Sequence, residues 1–111
     1  MKEEEIEKLT ADYQSLVEQL QTLSAQKEHF SMQKEEQNEA LKELELAKGK
    51  IYMALGGVLI EASKDEAIKK LKEKQDSVEM RLSLISRQHE ELSKKEKEMR
   101  EKINEAIHEK V

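Results

Sequence analysis

Residues Ile51–Ile60 read IYMALGGVLI, a stretch with no charged side chain, placed midway between two long segments dense in Glu and Lys. The Gly56-Gly57 pair supplies positive φ at both central positions, as a two-residue type I′ turn requires, and so predicts a tight β-hairpin. The first strand runs from Ile51 to Leu55 and the second from Val58 to Ala62. Such a turn pairs Leu55 with Val58, Met53 with Ile60 and Ile51 with Ala62, which places six apolar side chains on one face. The other face holds Tyr52, Ala54, Leu59 and Glu61, so it too is mostly apolar. A two-stranded hairpin alone is marginal in water, and this one leaves both edges unpaired. No other segment offers a strand. The hairpin is therefore expected to be completed by other copies or other chains, with Ile51, Tyr52, Met53, Leu55, Gly56, Gly57, Val58, Leu59 and Ile60 as the oligomer interface.

The flanking segments exclude a compact globule. Of the 111 residues 41% are charged and 3% aromatic, with no proline, against about 25% charged in an ordinary soluble domain. The chain lacks the Pro and Ser bias of a disordered one, and its regular apolar spacing in a charged background predicts long helices. The formal net charge of −5 argues against a nucleic-acid or anionic-membrane partner. Cysteine is absent, so there is no disulfide framework or thiolate site, which fits a reducing compartment. The start, MKEEEIEKL, lacks the apolar core of a signal peptide, and nothing approaches a membrane span. A soluble, cytoplasmic protein is expected.

Working back from the hairpin, apolar residues recur in alternating steps of three and four: Ile6, Leu9, Tyr13, Leu16, Leu20, Leu23, Lys27, Phe30, Lys34, Gln37, Leu41 and Leu44. These are the a and d positions of a left-handed coiled coil. A helix over 3–48 follows, with Lys48 in its last turn and Gly49 as its C′ residue. Beyond the hairpin, Ser63-Lys64-Asp65-Glu66 has the form of a capping box, opening a helix over 64–110. Its seam is Ile68, Leu71, Gln75, Val78, Leu82, Ile85, His89, Leu92, Glu96, Met99, Ile103 and Ala106. Glu-to-Lys pairs at i,i+4 (Glu66 with Lys70, Glu90 with Lys94, Glu91 with Lys95, Glu98 with Lys102) keep its outer face soluble and helical.

If the chain folds back at Gly56-Gly57, facing seam residues have numbers totalling about 112, as in an antiparallel coiled coil closed at one end. Leu44 then meets Ile68, Leu41 meets Leu71, Phe30 meets Leu82 and Leu9 meets Ile103. Gln37 and Gln75 form a polar pair that fixes register, while Glu96 and His89 are softer spots opposite Leu16 and Leu23. Leu46 is expected under the hairpin, and Met80 with Leu84 against a neighbouring subunit. The fold class is mainly α: a long antiparallel two-helix coiled coil joined by one central β-hairpin, with both termini at the open end.

No enzyme is indicated. Gly49, Gly56 and Gly57 have neither dinucleotide-fold nor P-loop spacing, so no cofactor is expected. His29, His89 and His108 are too far apart for a metal cluster. Lys69, Lys70, Lys72 and Lys74 form a local basic patch, but Asp65, Glu66 and Glu73 interleave with it, as on a solvated face.

With these pieces in place, the run GKIYMALGGVLIEASKDEAIKKLKEK between two matched helical arms resembles a β-class prefoldin subunit. Tyr52, Gly56-Gly57, Leu59-Ile60 and Ser63 to Glu66 match the family's Tyr-containing strand, glycine turn, aliphatic strand and polar step into the second helix. The α-class has two hairpins, and this chain has room for one. The resemblance implies an ATP-independent chaperone, a hexamer of two α-class and four β-class subunits, whose hairpins form a double β-barrel carrying six coiled-coil arms. Unfolded polypeptide clients are held at the arm tips and delivered to a group II chaperonin. On this chain the client-binding tip is Ile6, Leu9, Met99, Ile103 and Ile107. The competing reading is a structural coiled-coil hairpin that forms a homo-oligomer or filament without handling clients.

Overall fold

The computed structural model describes residues 1–109 and contains four elements: α1 (Glu3–Leu46), β1 (Ile51–Leu55), β2 (Val58–Ala62) and α2 (Lys64–Glu109). Lys110, where the second helix was expected to end, lies outside the described residues. β1 and β2 pair antiparallel in the register that the glycine turn dictates, Leu55 with Val58, Met53 with Ile60 and Ile51 with Ala62. Gly56 and Gly57 hold φ of 54° and 84°, the left-handed pair that closes such a turn without a Cβ penalty.

The junctions between helices and hairpin differ in part from expectation. α1 ends at Leu46, two residues before Lys48, where the Ala47 amide donates to the Leu44 carbonyl at 3.3 Å and tightens the last turn. Its final turn contains no basic residue. The cation that serves it comes from the other helix: Lys64 Nζ donates to the Glu45 carbonyl and, at 3.4 Å, to that of Ala47. An ammonium there satisfies orphan carbonyls and opposes the negative end of the helix dipole. Gly49, with φ of 103°, shapes the linker into β1 rather than capping the helix. At the start of α2, Ser63 accepts a hydrogen bond from the Glu66 amide on its Oγ at 3.1 Å and from the Ala67 amide on its carbonyl at 3.0 Å. This is the Ser63 half of the expected capping box.

Packing is organised in two units. In the unit His29–Leu82, Ala67 and Val78 are buried, and Phe30, Leu41, Leu44, Ile68, Leu71 and Leu82 are half-buried along the seam. Gln75 does not face Gln37. Its Nε2 donates to Asn38 Oδ1 at 2.7 Å, leaving Gln37 Oε1 buried with no hydrogen-bond partner. The reason is register. The turn's centre lies between Gly56 and Gly57, so facing residues total one more than expected, and Asn38 rather than Gln37 comes opposite Gln75. Lys34 extends to Glu79 Oε1 at 3.2 Å, its stem covering the seam while the charge stays near water. The Arg81 guanidinium lies 5.9 Å from the centre of the Phe30 ring. Leu46, expected beneath the hairpin, is instead 80% exposed.

In the unit formed by Met1–Glu28 and α2 from Ser83 onward, Leu16 and Ala106 are buried and the other apolar seam residues are half-buried. Both soft spots have partners. Tyr13 donates its hydroxyl to Glu96 Oε1 at 2.7 Å, and Arg100 Nε lies 3.8 Å from the same oxygen. His89 Nε2 is 3.0 Å from Ser24 Oγ, with Ser93 Oγ 3.5 Å from Nδ1. The hydrogen bond to Glu96, then desolvation and the carboxylate's charge, raise the Tyr13 pKa above its usual 10.0, with Arg100 pulling it down. Of the expected i,i+4 pairs, Glu90 with Lys94 forms, at 4.0 Å.

Two outcomes follow from the seam. Gln37→Leu removes a buried oxygen that lacks a partner and should raise the urea midpoint, by about 1 kcal/mol of stability; a fall would contradict the assignment. A raised Tyr13 pKa means that the neutral hydroxyl is favoured by folding, so its contribution is full below pH 10 and is lost as pH rises through the folded pKa. Tyr13→Phe should therefore be less stable than wild type at pH 7, with the deficit shrinking as pH is raised above 10, read from paired thermal melts. An unchanged difference across that range would contradict it.

Candidate assembly and client surfaces

The expected interface residues are brought together on one hairpin and left largely uncovered. Leu55, Val58, Leu59 and Ile60 are 46%, 59%, 71% and 48% exposed, and Tyr52 is exposed on the opposite face to Met53. Ile51, Met53 and Ala62, at the end of the hairpin nearest the helices, are half-buried. The sheet contains two strands only, so the outer edges of β1 and β2 both present unpaired backbone groups. Adding a strand to either edge satisfies that backbone and covers the apolar side chains in the same step. The uncharged stretch recognised in the sequence is thus the stretch that the fold leaves open.

The expected tip residues are placed less uniformly. Ile6, Leu9, Met99 and Ile103 are half-buried in the helical seam, whereas Ile107 lies on its flank, 49% exposed. They occupy one unit of the chain, in which the Met1 amino group comes within 3.8 Å of Glu109 Oε2. Polar partners within that unit, Tyr13 with Glu96 and Ser24 with His89, were not identified from the sequence. The polar seam residues His89 and Glu96 were the available signal, since a buried polar group needs a partner. Met80 and Leu84 are exposed on α2, as is Met32 on α1. Among the described residues no group of three or more His, Cys, Asp or Glu side chains is arranged to hold a metal ion. No helix among them is long and apolar enough to cross a membrane.

Three comparisons bear on what such a chain is. A family model described as "Prefoldin subunit" matches residues 7–110. Among curated proteins, the chain is 37% identical over 105 residues to the prefoldin subunit beta of Methanosarcina mazei, covering 93% of this chain and 90% of that one. It is 34% identical over 74 residues to that of Pyrococcus horikoshii, a match spanning 65% of this chain and 63% of the relative. Among solved structures, the crystal structure of the prefoldin beta subunit from Thermococcus strain KS-1 superposes with a TM-score of 0.85 at 30% identity, covering 92% of this chain and 91% of that one. Two long helices, one central hairpin and these similarities agree, and the chain belongs to the prefoldin family as a β-class subunit.

Proposed function

We propose that this chain is a subunit of an ATP-independent chaperone that holds non-native polypeptides and delivers them to a group II chaperonin. In this reading hairpins of several subunits close into a β-barrel, with α-class partners in an α2β4 hexamer, and the paired helices project as client-holding arms. The observation that carries the reading is the exposure of the hairpin's apolar side chains, 46% to 71% from Leu55 to Ile60 apart from the glycines, in a chain that is 41% charged. A contiguous exposed apolar patch on an otherwise charged surface marks a site that a partner covers. Barrel closure removes both strand edges at once, which a flat dimer of hairpins does not.

The arms supply the client end. Ile6, Leu9, Met99 and Ile103 are covered only in part by a two-helix seam, and Ile107 is already exposed, so local opening offers apolar surface at small cost. Methionine's unbranched thioether adapts to dissimilar partners. Holding and passing a chain requires no nucleotide, and no residue of the assembly or tip surfaces is assigned a catalytic role. The reading places the protein in the cytoplasm, with neither nucleic acid nor membrane as partner.

Leu55→Asp combined with Ile60→Asp should dissociate the assembly while far-ultraviolet circular dichroism still reports full helicity. Each aliphatic side chain is worth about 1.5–3 kcal/mol when buried, so association should weaken by at least about a hundredfold. Retained assembly in native mass spectrometry would remove the hairpin from the interface. At the other end, Ile6→Ser, Leu9→Ser, Ile103→Ser and Ile107→Ser together should reduce protection of a denatured client from aggregation without ATP, with the oligomer intact. Undiminished protection would exclude the tip as the client surface.

A further inference from the structure

Within the unit His29–Leu82, an open groove of about 340 Å³ runs along one flank of the two helices. Phe30 and Gln33 of α1 and Lys74, Ser77 and Arg81 of α2 line it, together with the buried Val78. No carboxylate lines it, although 25 residues of the chain are acidic. Glu73 and Asp76 neighbour these cations in sequence, but successive helical residues step by about 100° around the axis, which carries both off the groove. Lys74 also borders an adjoining groove beside β1, whose lining includes Lys70 and again no carboxylate. None of Lys70, Lys74 and Arg81 forms an ion pair among the described residues. In a chain of net charge −5, this flank is a local inversion of the surface charge.

The groups along the groove select its occupant. The Arg81 guanidinium, 5.9 Å from the centre of the Phe30 ring, presents a planar fork suited to a carboxylate. Lys74 lies seven residues before it, about 10 Å along the helix axis. In a polyproline II chain, a prevalent extended form of unfolded segments, residues three apart share a face and lie about 9 Å apart. Acidic side chains at that spacing meet both cations. Gln33 and Ser77 add groups that donate as well as accept hydrogen bonds, which suits the N–H and C=O groups of a peptide backbone. A phosphodiester backbone offers acceptors only, so the groove favours polypeptide over nucleic acid.

We propose that this flank docks an extended acidic segment of a partner polypeptide, with carboxylates three residues apart meeting Lys74 and Arg81. Recognition here is by charge and backbone, in contrast to the apolar tip residues proposed to hold clients. It uses none of the exposed residues of the hairpin.

The test is fluorescence anisotropy of a labelled peptide of four Glu-Ala-Pro repeats, titrated with the full chain at low salt, with circular dichroism confirming the fold of every variant. Wild type binds this peptide, and binds the same peptide with Gln in place of Glu at least about tenfold more weakly. Lys74→Gln with Arg81→Gln weakens binding about tenfold. Lys74→Glu with Arg81→Glu abolishes it and instead binds the peptide that has Lys in place of Glu. Added salt weakens every charged pairing. No binding by wild type, or equal binding by either double variant, overturns the inference. Oligothymidylate of equal charge that binds wild type more tightly than the peptide overturns polypeptide as the occupant. The variant with Ser at Ile6, Leu9, Ile103 and Ile107 should bind the peptide like wild type; a loss there would merge this groove with the client surface and overturn a separate site.

Discussion

The backbone of a two-stranded sheet can satisfy only half of its hydrogen-bonding groups internally, and here the side chains offer no alternative shelter. Ile51 to Leu55 and Val58 to Ala62 pair with one another, and the outer edge of each strand is left over. In most small proteins a helix lies across such a hairpin and covers one face. Here the helices reach only its base, where Ile51, Met53 and Ala62 are half-buried, and Leu55 to Ile60 extend beyond them. Assembly is the remaining route to a satisfied sheet, and the arrangement of the rest of the chain follows from keeping that route open.

The helices solve a different problem. A two-helix seam has no deep interior; its buried residues are Leu16, Ala67, Val78 and Ala106. With so little covered area, specificity falls to polar contacts that read register. Asn38 with Gln75, Lys34 with Glu79, Ser24 with His89 and Tyr13 with Glu96 are each formed in one alignment of the helices. Such contacts contribute modestly to stability but penalise slippage, because a displaced partner leaves a polar atom uncovered. Gln37 shows the cost of an imperfect match, with its Oε1 buried and alone. Lys64 performs a related task at the junction, tying the end of α1 to the start of α2 and so fixing where the hairpin emerges.

Much of this was legible in the sequence, because two periodicities and one turn signal carry it. The glycine pair fixed strand register to the residue, and the alternating three-and-four spacing picked out positions of which Lys27 alone is exposed. What was not legible depends on reach across elements. Lys64 capping α1 requires knowing that the first residue of one helix returns to the last turn of the other. Gln75 choosing Asn38 over Gln37 turns on a one-residue offset that apolar pairs tolerate and amides do not. Leu46 was expected under the hairpin because it is apolar and adjacent, yet it is the last residue of α1, two positions past the seam residue Leu44, and so falls on the outer side of the helix. The hairpin surface was readable because it is apolar in a charged chain. The tip is less distinct, since Ile6, Leu9 and Ile103 continue the same seam as the rest.

The central claim concerns backbone groups, so amide hydrogen exchange across Ile51–Ala62 tests it most directly, measured as the protein is taken from dilute monomer to assembled complex. The account predicts that amides on the outer edges of both strands exchange rapidly in the monomer and become strongly protected on assembly, while exchange along the helical seam changes little. Outer-edge amides that exchange at the same rate in both states would contradict it.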